Sequence, residues 1–311
     1  MTSNAEVGAL AERAESRSSE EALQKAPARD PSFALRVFSA VVFLPLLVLM
    51  ARVGGLLFLG FTLLFIALAL REFYLMMTSK GLAPHWKSGF LAALLFPVGF
   101  YARLRAQRTE EWHLAGLLTV LLIAMLLAEL RRGASKQTLV NTSSTLLGAL
   151  YIGWLGAHVA ALRELPWILG VDYREGMSFA LLPFFLAWTC DTAAYLVGRA
   201  WGRHPLARAV SPQKSVEGAV GGLVAAIAAA AVARGWFAPY LTWGGALLLG
   251  LLVGVFAQLG DLVESLLKRD AETKESSSLI PGHGGVLDRF DSLLFAAPLV
   301  YYFLLWEVFG R

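Results

Sequence analysis

Residues 260–291 read Gly260-Asp-Leu-Val-Glu-Ser-Leu-Leu-Lys-Arg-Asp270, then Ala271-Glu-Thr-Lys-Glu-Ser-Ser-Ser-Leu-Ile280, then Pro281-Gly-His-Gly-Gly-Val-Leu-Asp-Arg-Phe-Asp291. The apolar runs Leu247–Leu259 and Leu293–Phe309 flank this stretch. Polar residues at such density between membrane-length runs are costly and need a role. A helical Asp261–Lys268 places Asp261, Glu264, Ser265 and Lys268 on one face, at i, i+3, i+4 and i+7. Asp288 and Asp291 repeat the i, i+3 spacing, with Arg289 on another face. Pro281, Gly282, Gly284 and Gly285 interrupt helix and permit positive φ. Successive N–H groups in such a turn can cup a phosphate. Carboxylates on two helices, with Lys and Arg nearby, suit Mg²⁺ and a polyphosphate together, because Mg²⁺ takes carboxylate and phosphate oxygens. The plainer reading is a solvated loop with incidental ion pairs. The Gly-His-Gly-Gly run and the two carboxylate pairs weigh against it.

Outward from this stretch the chain stays apolar. It is 57% hydrophobic and 16% charged over 311 residues, with mean hydropathy +0.60. That composition predicts an all-α polytopic membrane protein. Nine transmembrane helices are expected, near 35–51, 54–71, 88–103, 112–130, 140–162, 177–198, 216–234, 241–262 and 290–309. The first two are separated only by Arg52–Gly54, as a tight hairpin or one broken segment. The Ala-rich span near Gly218–Val232 is dense in small residues and is expected to pack against protein rather than lipid. Residues 1–33 are polar and lack the apolar core of a signal peptide, so they read as a mobile cytoplasmic extension. Residues 34–311 form one membrane domain, without internal repeats.

With the N-terminus inside, 19 of the 27 Lys and Arg fall on cytoplasmic segments and 8 outside. The positive-inside rule thus favours an N-in, C-out chain in the cell membrane, with 199–215 and 263–289 both facing the cytoplasm. The net charge of +4 is spread over loops and sets topology; it gives no sign of nucleic acid. A single cysteine, Cys190, excludes a disulfide framework and a Cys-rich metal site.

A second polar constellation spans 188–222. Asp191 falls inside an expected span, where an ionisable residue faces a polar cavity or a partner. Ser211-Pro-Gln-Lys-Ser-Val-Glu-Gly218 reads as a loop entering a helix. Ser215 can cap that helix, and Glu217 in its first turn suits the dipole. Capping does not explain Lys214, which is unfavourable at a positive helix end unless an anion binds there. Glu72 and Tyr74 read as interfacial, Arg71 and Lys87 as contacts for lipid head groups, His158 as packed and His204 as solvated.

These residues resemble a family. Ser265-Leu-Leu-Lys-Arg269, Lys274, and Leu279-Ile-Pro-Gly-His-Gly-Gly-Val-Leu-Asp-Arg-Phe-Asp291 closely resemble the signature of phosphatidate cytidylyltransferases, the CDP-diacylglycerol synthases. So do Asp191-x-x-Ala-Tyr-x-x-Gly-Arg199 and Ser211-Pro-x-Lys-Ser-x-Glu-Gly218. Arg71-Glu-Phe-Tyr74 and Leu162-Arg163 are also similar to the family's pattern. Glu275, Cys190 and Ser215 stand where the family usually has Asp, Asn and Thr.

The resemblance implies that CTP and phosphatidate give CDP-diacylglycerol and pyrophosphate in phospholipid biosynthesis, with Mg²⁺, with K⁺ as a possible companion cation, and in a homodimer. It implies metal ligation by Asp261 and Asp288. The same two residues, with Lys268 and Lys214, are the expected catalytic set. Arg269, Ser211, Lys214, Ser215, Arg199, His283, Gly284, Gly285 and Arg289 are expected to bind substrate. Asp191, Glu264, Asp291 and Glu217 are expected to support the site. A CTP-dependent polyprenol or dolichol kinase and an ion-coupled transporter are the competing readings. The transporter would need two related halves, which the sequence lacks.

Overall fold

The computed structural model describes residues 31–108, 112–133, 137–277 and 284–309. The expected N-terminal extension therefore lies almost wholly outside the described residues. The chain runs α1 (Pro31–Val53), α2 (Gly55–Ser79), α3 (Trp86–Arg105), α4 (Trp112–Arg132) and α5 (Thr138–Gly148). A π-helical turn, Ala149–Trp154, joins α5 to α6 (Leu155–Glu164), and the short α7 (Pro166–Leu169) follows. Then come α8 (Glu175–Trp201), β1 (Pro205–Ala207), β2 (Ser211–Ser215), α9 (Val216–Trp236), α10 (Trp243–Asp270) and α11 (Leu287–Phe309).

Each expected span falls in a long helix, the fifth being α5, the π turn and α6 in one run. Among the described residues, seven helices are long and apolar enough to cross a membrane by length and composition. Helices α1 and α3, of 23 and 20 residues, are not among those seven. The fold is thus an all-α polytopic membrane protein, with seven rather than nine helices meeting that criterion.

The α1–α2 boundary is a break at two glycines, Gly54 (φ 68°) and Gly55 (φ 58°), a region that side-chain-bearing residues avoid. The buried Arg163 of α6 seals it. Its Nε donates to Ala51 O at 2.6 Å and its guanidinium reaches Arg52 O and Tyr173 O, supplying donors to carbonyls that a helix end leaves free. Glu164 accepts from Gly55 N at 3.1 Å on the other side of the break.

Helices α8, α9, α10 and α11 pack in sequence. Their approach is set by small residues. A Cβ at Gly250 would lie 2.6 Å from Ile227 Cα, and one at Gly222 would lie 2.9 Å from Cys190 O. The Ala-rich α9 buries Gly218, Gly222, Ala226, Ala230 and Ala233 on one face and exposes Val220, Val224 and Val232 on the other. It packs on protein as expected, but along one stripe. The C-terminal ends of α2, α8 and α10 meet the N-terminal ends of α9 and α11 at one end of the bundle, through Glu72 with Leu287, Gly198 with Ser215 and Asp261 with Lys214.

Candidate active site

That end gathers the polar residues. On α10, Asp261, Glu264 and Lys268 share a face, and Glu264 is fully buried. The first turns of α11 bring Asp288 and Asp291. One carboxylate oxygen each from Asp261, Glu264 and Asp291 lie within 4.8 Å of one another. Lys268 Nζ bridges Glu264 Oε2 at 2.5 Å and Asp288 Oδ1 at 2.7 Å. Lys214 Nζ pairs with Asp261 Oδ1 at 2.6 Å.

Asp288 has a full set of donors. Its Oδ2 accepts from Gly285 N (2.8 Å) and Ser276 N (3.1 Å) and shares the single Ser276 hydroxyl proton (Oγ at 3.0 Å) with Glu72, while Oδ1 takes Lys268. Gly284, at φ 79°, makes the turn; a Cβ there would lie 2.7 Å from Asp288 Oδ2. Asp261 therefore stands beside Glu264 and Asp291, and Asp288 reaches that group through Lys268.

A cavity of about 320 Å³ opens next to the carboxylates. Asp191, Tyr195 and Arg199 of α8 line it, with Ser211, Gln213, Lys214 and Ser215 of the β1–β2 hairpin and Gln258 and Asp261 of α10. Asp191 thus faces the polar cavity that its place in a span called for. Ser215 caps α9, accepting from Gly218 N at 3.1 Å. The expected loop before α9 is in fact a short antiparallel hairpin, pairing Pro205 with Ser215 and Ala207 with Ser211. Glu217 fastens it: one oxygen accepts from Arg203 N and His204 N, the other meets His204 Nδ1 at 2.6 Å. Glu217 thus holds the hairpin, and His204 is its partner while staying exposed to solvent, as expected.

The remaining expected residues spread out. Arg199 donates to Tyr195 Oη at 3.2 Å. Arg269 donates to Val210 O, bracing the hairpin from behind. Arg289 is exposed. His283 lies outside the described residues.

Two site residues escaped the sequence reading. Glu72, read as interfacial, is fully buried and accepts four hydrogen bonds, from Ser276 Oγ, Ser277 Oγ, Val286 N and Leu287 N. The signal was the Arg71-Glu-Phe-Tyr74 segment, already similar to the family's pattern. Tyr151, on the π turn, is buried with Asp291, Glu264 and Asp261 as its charged neighbours. Its hydroxyl has no hydrogen-bond partner among the described residues. No periodicity marks it, since a π turn shifts the helical register.

The donor chemistry fits a hard cation. Asp191, Asp261, Glu264, Asp288 and Asp291 carry five formal charges against Lys214 and Lys268. Glu264 Oε1 has no hydrogen-bond partner among the described residues. Mg²⁺ takes such carboxylates and shares the rest of its shell with phosphate and water.

A sequence profile described as "Cytidylyltransferase family" matches residues 34–306. A phosphatidate cytidylyltransferase from Synechocystis sp. is 36% identical over 290 residues, covering 86% of this chain and 95% of the relative. That of Staphylococcus epidermidis is 30% identical over 264 residues, covering 85% and 94%. That of Bacillus subtilis is 39% identical over 158 residues, covering 51% and 56%. The similarity runs through the helices that carry the carboxylates, the two lysines and the cavity, and the chain belongs to the cytidylyltransferase family.

Proposed function

We propose that this chain transfers the cytidylyl group of CTP to phosphatidate, giving CDP-diacylglycerol and pyrophosphate, at the end of the bundle described above. The observation that carries the site is the group formed by Asp261, Glu264 and Asp291 with Lys268, beside a cavity edged by Lys214. Asp261, Glu264 and Asp291 would hold Mg²⁺, with Tyr151 behind them and Asp288 steadying Lys268. When bound, Mg²⁺ neutralises phosphate charge and stabilises the leaving pyrophosphate.

A phosphatidate oxygen attacks the α-phosphorus in line; the new O–P bond forms as the bond to the β-phosphate oxygen breaks. The second ionisation of a phosphomonoester falls near pH 6, so the nucleophile is already anionic and needs no general base. The residues therefore position and neutralise. Lys214 at the start of α9 receives the polyphosphate, Lys268 lies across the carboxylates, and Ser211, Ser215 and Arg199 line the cavity. Tyr195, Leu196 and Trp201 stay exposed beside it, where acyl chains can remain in lipid. The site faces the cytoplasm, where CTP is, and K⁺ and a homodimer belong to the same proposal.

Purified protein incubated with phosphatidate, Mg²⁺ and CTP labelled at the α-phosphate should move label into lipid, and chelation of Mg²⁺ should stop it. Lipid labelled only from γ-labelled CTP would mean a kinase and overturn the proposal.

A further inference from the structure

Glu72 lies between the exposed Arg71 and the buried Phe73 on α2, and has no exposed surface itself. A buried carboxylate is costly unless donors surround it. Its Oε1 accepts from Ser277 Oγ (2.6 Å) and Val286 N (2.9 Å); its Oε2 accepts from Ser276 Oγ (2.9 Å) and Leu287 N (2.8 Å). All four donors are neutral, and they come from both flanks of the 276–287 segment. Val286 N and Leu287 N open α11, so Glu72 also sits at the positive end of that helix. The packing leaves no room for adjustment: a Cβ at Gly285 would overlap Ser276 Oγ and the Glu72 carboxylate.

The contacts continue inward. Ser276, held by Glu72, donates its backbone N–H to Asp288, and Asp288 bonds Lys268, which pairs with Glu264. We propose that Glu72 is a positioning residue of the active site: by gathering Ser276, Ser277, Val286 and Leu287 it places Asp288, and through it Lys268, against the carboxylate group. This rests on the site reading given above. The plainer alternative is that Glu72 only caps α11, in which case its loss would lower stability without a selective effect on turnover.

The two accounts differ in kinetics. Among the described residues, none that lines the cavity is bonded to Glu72, so displacing Ser276, Ser277 and the start of α11 should slow turnover while leaving CTP affinity nearly intact. Misplacement of about 1 Å can cost on the order of 100-fold in rate. In Glu72→Gln an amide NH₂ must face donors where only acceptors fit. Glu72→Asp keeps both acceptors on a shorter arm.

The experiment uses the full chain in mixed micelles containing phosphatidate. Glu72→Gln is expected to lower kcat at least about tenfold with KM for CTP within about threefold, and Glu72→Asp to lose less. Hydrogen exchange at Val286 and Leu287 should accelerate in Glu72→Gln. Glu164→Gln, which disturbs a buried carboxylate at the opposite end, should lose thermal stability at unchanged kcat. If Glu72→Gln does not fold, the Ser276→Ala/Ser277→Ala double variant should show the same split. Wild-type kcat in Glu72→Gln, or equal losses in the Asp and Gln variants with unchanged exchange, would overturn the proposal. Failure of the site reading would look different: Lys268→Met would then keep full turnover.

Discussion

Lys268 shows how far one side chain can carry the site. It bonds Glu264 on its own helix and Asp288 on the next, so it neutralises a fully buried acid and ties α10 to α11 at once. Removing one partner of a buried ion pair costs about 3–5 kcal/mol, because the other charge is left unpaired. Removing one preorganised donor from a site that stabilises developing negative charge costs about 100–1,000-fold in turnover. Lys268→Met should therefore lower both the unfolding temperature and kcat, whereas Arg269→Met, whose side chain donates to a backbone carbonyl of the hairpin, should lower kcat far less. Comparable losses at the two positions, measured by steady-state kinetics and thermal unfolding, would show that general positive charge suffices. The i, i+3, i+7 spacing on α10 was legible in the chain. The choice of Asp291 as neighbour of Asp261 and Glu264 was not, because it depends on how far α11 rotates when its first turn is pinned by Glu72.

Among elements, α9 and α10 matter most, because α9 continues directly from β2, which carries Lys214, and α10 carries the three charged residues of its own face. Gly250 lets their backbones approach, and a Cβ would also meet Ala226 O at 2.9 Å. Overpacking such a contact costs about 1–3 kcal/mol. Gly250→Val should therefore lower thermal stability and weaken the pairing of Lys214 with Asp261, seen as a raised KM for CTP. Gly244→Val, where nothing lies within 4 Å of the added Cβ, is the control and should match wild type in both measurements. The hairpin before α9 was less legible than the helices. Its strands are three and five residues long, and the contacts that hold it come from Glu217 and from Arg269 behind it.

Across the whole molecule, the distribution of Lys and Arg predicts the side of the membrane on which the site opens. Gly133→Cys and Gly202→Cys should resist an impermeant thiol reagent added outside intact cells, and Asp172→Cys should label. All three positions are exposed and Cys190 is buried, so labelling reads topology and not burial. Labelling of Gly202→Cys from outside would reverse the proposed orientation. Hydropathy and the spacing of acids alone determined that this chain is a helical membrane protein with its chemistry between two apolar runs, because each depends on near neighbours in sequence and on the cost of burying charge. The residues of the signature stretch likewise determined the family. Only the tertiary structure decided which carboxylates converge, that Asp288 bonds Lys268, that Glu72 on α2 bonds the start of α11, and that Tyr151 on a π turn is buried beside Asp291, Glu264 and Asp261. Those facts arise where distant helices meet, and a hydrogen bond between α2 and α11 leaves no periodic trace in either helix.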